Sequence, residues 1–183
     1  VFEGKEITGW RPYKICQLGI ARTFQIVKPI DTFSVINNVV AAKLFNNRHL
    51  YENVDDVIRE AYELLRFLNL DEKAHLMPRE LTMVELRKLE LARALATEPK
   101  LLLLDEVMAG LTPSEIEDML TKVKKINEQG VTIMMVEHNM KAVIDVADRI
   151  IVLHYGVKIA EGTPQDVVND IRVIEAYLGE EYY

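Results

Sequence analysis

Asp105 and Glu106 are adjacent carboxylates that follow directly on the apolar run Leu101-Leu102-Leu103-Leu104. Paired acids offer oxygen ligands to a hard cation such as Mg²⁺, and a carboxylate can orient or deprotonate an attacking water. Four leucines without an intervening polar residue read as a strand buried on both faces, the pattern of the centre of a parallel sheet. Open α/β sheets keep their ligands beyond the carboxyl ends of the strands. The expected strand therefore delivers both acids to a ligand site; the plainer alternative is a core strand ending in two solvated acids. A second apolar run, Val131 to Val136, ends in Glu137-His138-Asn139. Parallel neighbours end at the same sheet edge, so His138 is expected near Glu106, where an imidazole can donate to a phosphate oxygen or steady a carboxylate.

The elements that must position these groups alternate in the second half of the chain. Strands are expected at Lys100 to Asp105, Val131 to Val136 and Arg149 to Leu153, with an edge strand at Val157 to Glu161. Helices are expected at Pro113 to Gln129, Met140 to Ala147 and within Asp166 to Leu178. The first segment, Val1 to Val27, has hairpin character, a short helix at Tyr13 to Leu18 closed by Gly19, and a strand from Ile20 whose end carries Gln25. From Pro29 to Thr97 the pattern is helical, with Ser34 as an N-cap and an amphipathic stripe at Val57, Ile58, Ala61, Leu64, Leu65 and Leu68. Thr82-Met83-Val84-Glu85 and Thr112-Pro113-Ser114-Glu115 both have the form of a capping box. A helix N-terminus presents unpaired N–H groups that can meet a phosphate, although most such motifs are plain caps.

Composition limits the function classes. A length of 183 residues with 49% hydrophobic and 28% charged residues suits one globular domain with room for an inserted subdomain. With 29 acids against 22 bases the net charge is −7, which argues against nucleic acid as a partner. The single cysteine, Cys16, excludes an internal disulfide and a cysteine-cluster metal site. No apolar stretch is long enough to cross a bilayer.

In order, Gln25, Leu81-Thr82-Met83-Val84-Glu85, Leu101 to Glu106, Ala109-Gly110-Leu111-Thr112 and His138 resemble the Q-loop, signature, Walker B with its glutamate, D-loop and switch histidine of ABC transporter nucleotide-binding domains. The resemblance covers nearly the whole chain. Gly19 to Gln25, Leu89 to Thr97, Glu161 to Pro164 and Ala176 to Gly179 are most similar in style to ATP-binding subunits of branched-chain amino acid uptake systems. The fold this implies is α/β, a P-loop NTPase-like (RecA-like) core with a mainly parallel sheet and an inserted α-helical subdomain. Residues 1–28 would be the remnant of the N-terminal β part, 29–97 the helical subdomain, and 98–183 the C-terminal RecA-like half.

Residue by residue, the resemblance implies that Glu106 and His138 are catalytic: Glu106 polarises the attacking water and His138 touches the γ-phosphate. Asp105 holds Mg²⁺, and Gln25 reaches the metal or the water. Thr82, Met83, Val84 and Glu85 meet ATP bound on a second subunit, and Thr112 lies in the cross-dimer loop. Implied partners are a second ABC ATPase subunit, in a homo- or heterodimer, transmembrane permease subunits and, indirectly, a periplasmic or extracellular substrate-binding protein. The implied location is peripheral, at the cytoplasmic face of the cell (inner) membrane.

The chain departs from the family pattern at several points. Met83, Val84 and Glu85 replace two glycines and a glutamine of the usual signature, Val107 stands at a usual proline, and Thr112 stands at a usual aspartate. No GxxxxGK[ST] loop occurs in these residues, the only Gly-Lys pair being Gly4-Lys5. A chain beginning at Val1 without that Walker A loop is expected to be the carboxyl-terminal portion of a longer ATPase. The alternatives are a non-catalytic ABC-like interaction module and an ABC ATPase for another cargo, such as lipopolysaccharide export.

Overall fold

The computed structural model describes residues 1–47 and 53–178, so the end of the family resemblance at Gly179 lies outside the described residues. The chain divides into a unit of residues 1–137 and a unit beginning at His138.

In the first unit, Phe2 and Lys5 bond each other's backbone at 2.8 and 2.9 Å, the expected hairpin reduced to one turn. Helix α1 (Pro12–Gln17) begins with proline, whose missing N–H costs nothing at a first helical position. It gives way to Gly19 at φ +98°, where a Cβ would lie 3.1 Å from the Lys100 side chain. Glycine thus lets the chain turn tightly into β1 (Ile20–Arg22), while its carbonyl accepts from the Lys100 and Leu101 amides at 2.8 and 3.0 Å.

Three helices follow, α2 (Val35–Asn47), α3 (Val54–Phe67) and α4 (Met83–Leu95), and they pack on one another. Helix α3 buries Val57, Ala61 and Leu65, one stripe at a spacing of four, and the Asn53 side chain caps it by accepting from the Asp55 amide at 3.0 Å. Helix α4 also packs against β1, tying the helical segment to the sheet. After it come β2 (Leu101–Asp105), α5 (Pro113–Glu128) and β3 (Thr132–Val136). The sheet is parallel in the order β1-β2-β3, with Ala21 opposite Leu102 and Asp105 opposite Val136.

Burial of β2 differs from the expectation. Leu102 and Leu104 are 0% and 2% exposed, but Leu101 and Leu103 are only half-buried, and Met134, beside Leu103 in register, is 58% exposed. One face of the sheet is core and the other is open, so the apolar run reports a parallel sheet without reporting two covered faces.

The second unit contains α6 (Met140–Val146), the antiparallel pair β4 (Ile150–His154) and β5 (Val157–Gly162), then α7 (Pro164–Val168) and α8 (Ile171–Leu178). Its core is Ile150, Val152, Ala160, Val167 and Val173, with Met140, Val143 and Ile144 packed against it. Helix α7 begins two residues before the expected Asp166. Thr163 is the cap, its hydroxyl accepting from the Asp166 amide at 3.3 Å while the Asp166 carboxylate accepts from the Thr163 amide at 3.0 Å. Among the described residues no helix is long and apolar enough to cross a membrane.

Candidate functional site

Strand β1 stops at Arg22, three residues short of the expected end at Gln25, because Thr23 replaces the ladder with its side chain. The buried Thr23 hydroxyl accepts from the Asp105 amide at 3.2 Å, and the Thr23 amide donates to the Leu103 carbonyl at 2.9 Å. The sheet is thereby held to the last residue of β2 while the chain after Thr23 leaves the edge. Glu106 then reverses the backbone at φ +48°, a left-handed conformation that costs a non-glycine residue about 1–3 kcal/mol. It is fixed at both ends: its amide donates to the Val136 carbonyl at 3.0 Å, and its carbonyl accepts from Arg87 Nη1 at 2.8 Å. Val107 and Met108 are buried directly afterwards, and the Met108 amide donates to Glu137 Oε1 at 3.0 Å.

The reversal brings side chains from distant parts of the sequence together. Gln25 Nε2 donates to Glu106 Oε2 at 2.9 Å across 81 residues of sequence. Arg22 Nη2 donates to Asp105 Oδ2 at 2.9 Å, with its guanidinium 5.1 Å from the Phe24 ring centroid. Gln25, Asp105 and Glu106 are therefore neighbours at the carboxyl edge of β1 and β2. Arg22 and Arg87 join them without having been singled out. For Mg²⁺ these oxygen donors fit: the ion takes one or two carboxylates and keeps waters and phosphate oxygens as its other ligands. Among the described residues no cluster of three or more His, Cys, Asp or Glu is arranged to hold a metal unaided. One oxygen of Asp105 is moreover shared with Arg22.

The helix start at Thr82 is a complete capping box. The Glu85 amide donates to the Thr82 hydroxyl at 3.4 Å, and Glu85 Oε2 accepts from the Thr82 amide at 2.9 Å. Lys73 Nζ donates to the other carboxylate oxygen at 2.5 Å. Burial pushes the Glu85 carboxyl up, but the bonds from Lys73 and Thr82 outweigh it and hold the group below the ordinary range. The N-terminus of α4 is thus occupied by its own carboxylate, with Met83 exposed beside it. Thr82→Ala is expected to cost about 1 kcal/mol of stability, read as a lower urea midpoint with unchanged slope. An unchanged midpoint would show that the cap contributes nothing. At Thr112, amide and hydroxyl both donate to Glu115 Oε2 at 2.7 Å. His138, exposed, opens the second unit just before Asn139, whose side chain caps α6 by accepting from the Ala142 amide at 3.2 Å.

A parallel sheet with a helical segment between β1 and β2, and acids at the carboxyl end of β2, defines an α/β protein of the P-loop NTPase-like class. The family model described as ABC transporter matches residues 1–109, and the model described as branched-chain amino acid ATP-binding cassette transporter matches residues 157–183. The chain is 36% identical to the high-affinity branched-chain amino acid transport ATP-binding protein BraF of Pseudomonas aeruginosa, over 97% of this chain and 74% of that protein. It is 35% identical to the probable branched-chain amino acid transport ATP-binding protein LivG of Archaeoglobus fulgidus, over 97% of this chain and 72% of that protein. The solved ADP conformation of MJ1267, an ATP-binding cassette of an ABC transporter, superposes with a TM-score of 0.81 at 29% identity, over 97% of this chain and 75% of that one. The chain belongs to the ATP-binding subunits of ABC transporters, an ATPase family.

Proposed function

We propose that the chain serves as the ATP-binding subunit of a branched-chain amino acid importer, coupling ATP hydrolysis to uptake from the cytoplasmic face of the membrane. The observation that carries this is the Gln25–Glu106 contact of 2.9 Å beside Asp105, in a chain whose relatives are named for branched-chain amino acid transport. In this reading Glu106 orients and deprotonates the attacking water, and Gln25 holds that carboxylate and answers to the permease. Asp105 holds Mg²⁺, which offsets charge on the phosphates when bound. His138 takes the γ-phosphate contact, Thr112 the cross-dimer loop, and Thr82 to Glu85 the nucleotide of a second ATPase subunit. The division is residues 1–28 and 98–183 for the core and 29–97 for the helical subdomain.

A phosphate-holding loop is not among these residues, and the α4 N-terminus presents Met83 and Val84 where the family presents glycines and the Glu85 carboxylate where it presents a glutamine. The second of these observations favours a second reading, an ABC-type module that binds permease without turning over ATP. The 183 residues alone are expected to hydrolyse no ATP above buffer and to bind it very weakly; micromolar binding measured by calorimetry would overturn the need for that loop. To test the function, the subunit is assembled with its permease in vesicles and ATP turnover is followed as binding protein loaded with leucine, isoleucine or valine is added. Stimulation supports the importer, whereas permease binding without turnover supports the second reading.

A further inference from the structure

The segment that follows β1, residues 23–30, carries Gln25 but has little apolar anchorage of its own, since Phe24 and Ile26 are exposed. It is fastened by side chains from the helices. The Phe24 amide donates to Glu90 Oε1 at 2.8 Å, Arg93 Nη1 donates to the Lys28 carbonyl at 2.9 Å, and the buried Asn38 brackets Ile30, accepting from its amide at 2.8 Å and donating to its carbonyl at 3.1 Å. Of these fastenings, the one at Glu90 falls next to Gln25. We propose that Glu90 is a positioning residue of the ATPase site, fixing through the Phe24 amide the backbone from which Gln25 reaches the Glu106 carboxylate. This rests on the reading of Gln25 and Glu106 given above.

The placement of Glu90 is costly for a carboxylate and therefore informative. It is 8% exposed on a stretch of α4 where Leu89, Leu91, Ala92 and Ala94 are also buried. Burial lifts its carboxyl above the ordinary range against the pull of the Phe24 amide, Arg93 and Arg87. An isolated buried carboxylate would be strongly unfavourable, and here one backbone N–H and two guanidiniums compensate it. Arg87, Glu90 and Arg93 recur every three residues, a spacing that places side chains along one side of a helix. Arg87 holds the Glu106 carbonyl, Glu90 the Phe24 amide and Arg93 the Lys28 carbonyl. One row of α4 thus touches both backbone segments whose side chains meet in the Gln25–Glu106 contact.

The test compares Glu90→Met, which keeps volume and removes the acceptor, with Glu90→Gln, which keeps an acceptor oxygen. In the chain itself, amide hydrogen exchange at Phe24 is expected to speed up about 10-fold or more in Glu90→Met and to return to within about two-fold of wild type in Glu90→Gln. In the subunit assembled with its permease, kcat is expected to fall about 10- to 100-fold in Glu90→Met while KM for ATP stays within about two-fold, and Glu90→Gln is expected to restore turnover. Should Glu90→Met fail to fold, Glu90→Asp, which withdraws the carboxylate by one methylene and keeps its charge, is expected to give the same split. Unchanged exchange at Phe24, or a KM effect with kcat intact, overturns the proposal. An assembled wild-type subunit without turnover instead rejects the ATPase reading, and the exchange measurement still decides whether Glu90 holds the segment.

Discussion

Glu106→Gln is expected to lower ATP turnover of the assembled subunit by about 10²- to 10⁴-fold while leaving nucleotide binding within about two-fold. The substitution removes the basic oxygen and little else. Gln25 Nε2 donates to Glu106 Oε2 at 2.9 Å, and a glutamine retains one carbonyl oxygen to accept that bond. The backbone bonds of the reversal, from the amide to Val136 and from Arg87 to the carbonyl, do not involve the side chain and persist. The left-handed backbone at φ +48° is no harder for glutamine than for glutamate. Loss of turnover with retained binding, read by steady-state assay and equilibrium titration on one preparation, therefore isolates the proton-accepting role. Turnover within about three-fold of wild type would remove Glu106 from the chemistry and leave it a structural partner of Gln25.

The parts legible in the sequence were those encoded by neighbouring residues. Thr82-x-x-Glu85 forms the expected box because both bonds close within three residues, and α3 lies where its apolar stripe places it. Strand ends were less legible: β1 ends at Arg22 because the Thr23 hydroxyl takes over the ladder, a substitution that no local pattern announces. The supporting shell of the site was not legible. Arg22 with Asp105 is a pairing across 83 residues, Phe24 with Glu90 across 66, and Arg87 with Glu106 across 19. No local pattern marks Glu90 as buried. Its burial follows from α4 meeting both β1 and the other helices, a property of packing rather than of periodicity. Chemistry placed at strand ends is visible because it interrupts an apolar run; the residues that aim it are visible only after the run has been paired.

Leu102→Ala is expected to destabilise the first unit by about 2–5 kcal/mol, a large share of the roughly 5–15 kcal/mol typical of a domain. Leu102 is fully buried at the second position of β2, the central strand, with Ala21 and Ile133 opposite it in the two neighbouring strands. Truncation there leaves a cavity on the core face of the sheet, where the paired backbones cannot shift to fill it, so the transfer and cavity contributions both apply. Leu103, one residue on, points to the other face, where it is half-buried and Met134 beside it is exposed. Leu103→Ala is accordingly expected to cost less, since part of the removed surface is already in contact with water. Urea denaturation of both variants gives the comparison directly, as midpoint shifts at unchanged slope. Equal losses would mean that the second face is covered in solution as the first is. Near-zero loss at Leu102 would mean that β2 is not the centre of the core, and the placement of Asp105 and Glu106 at its end would lose its physical basis.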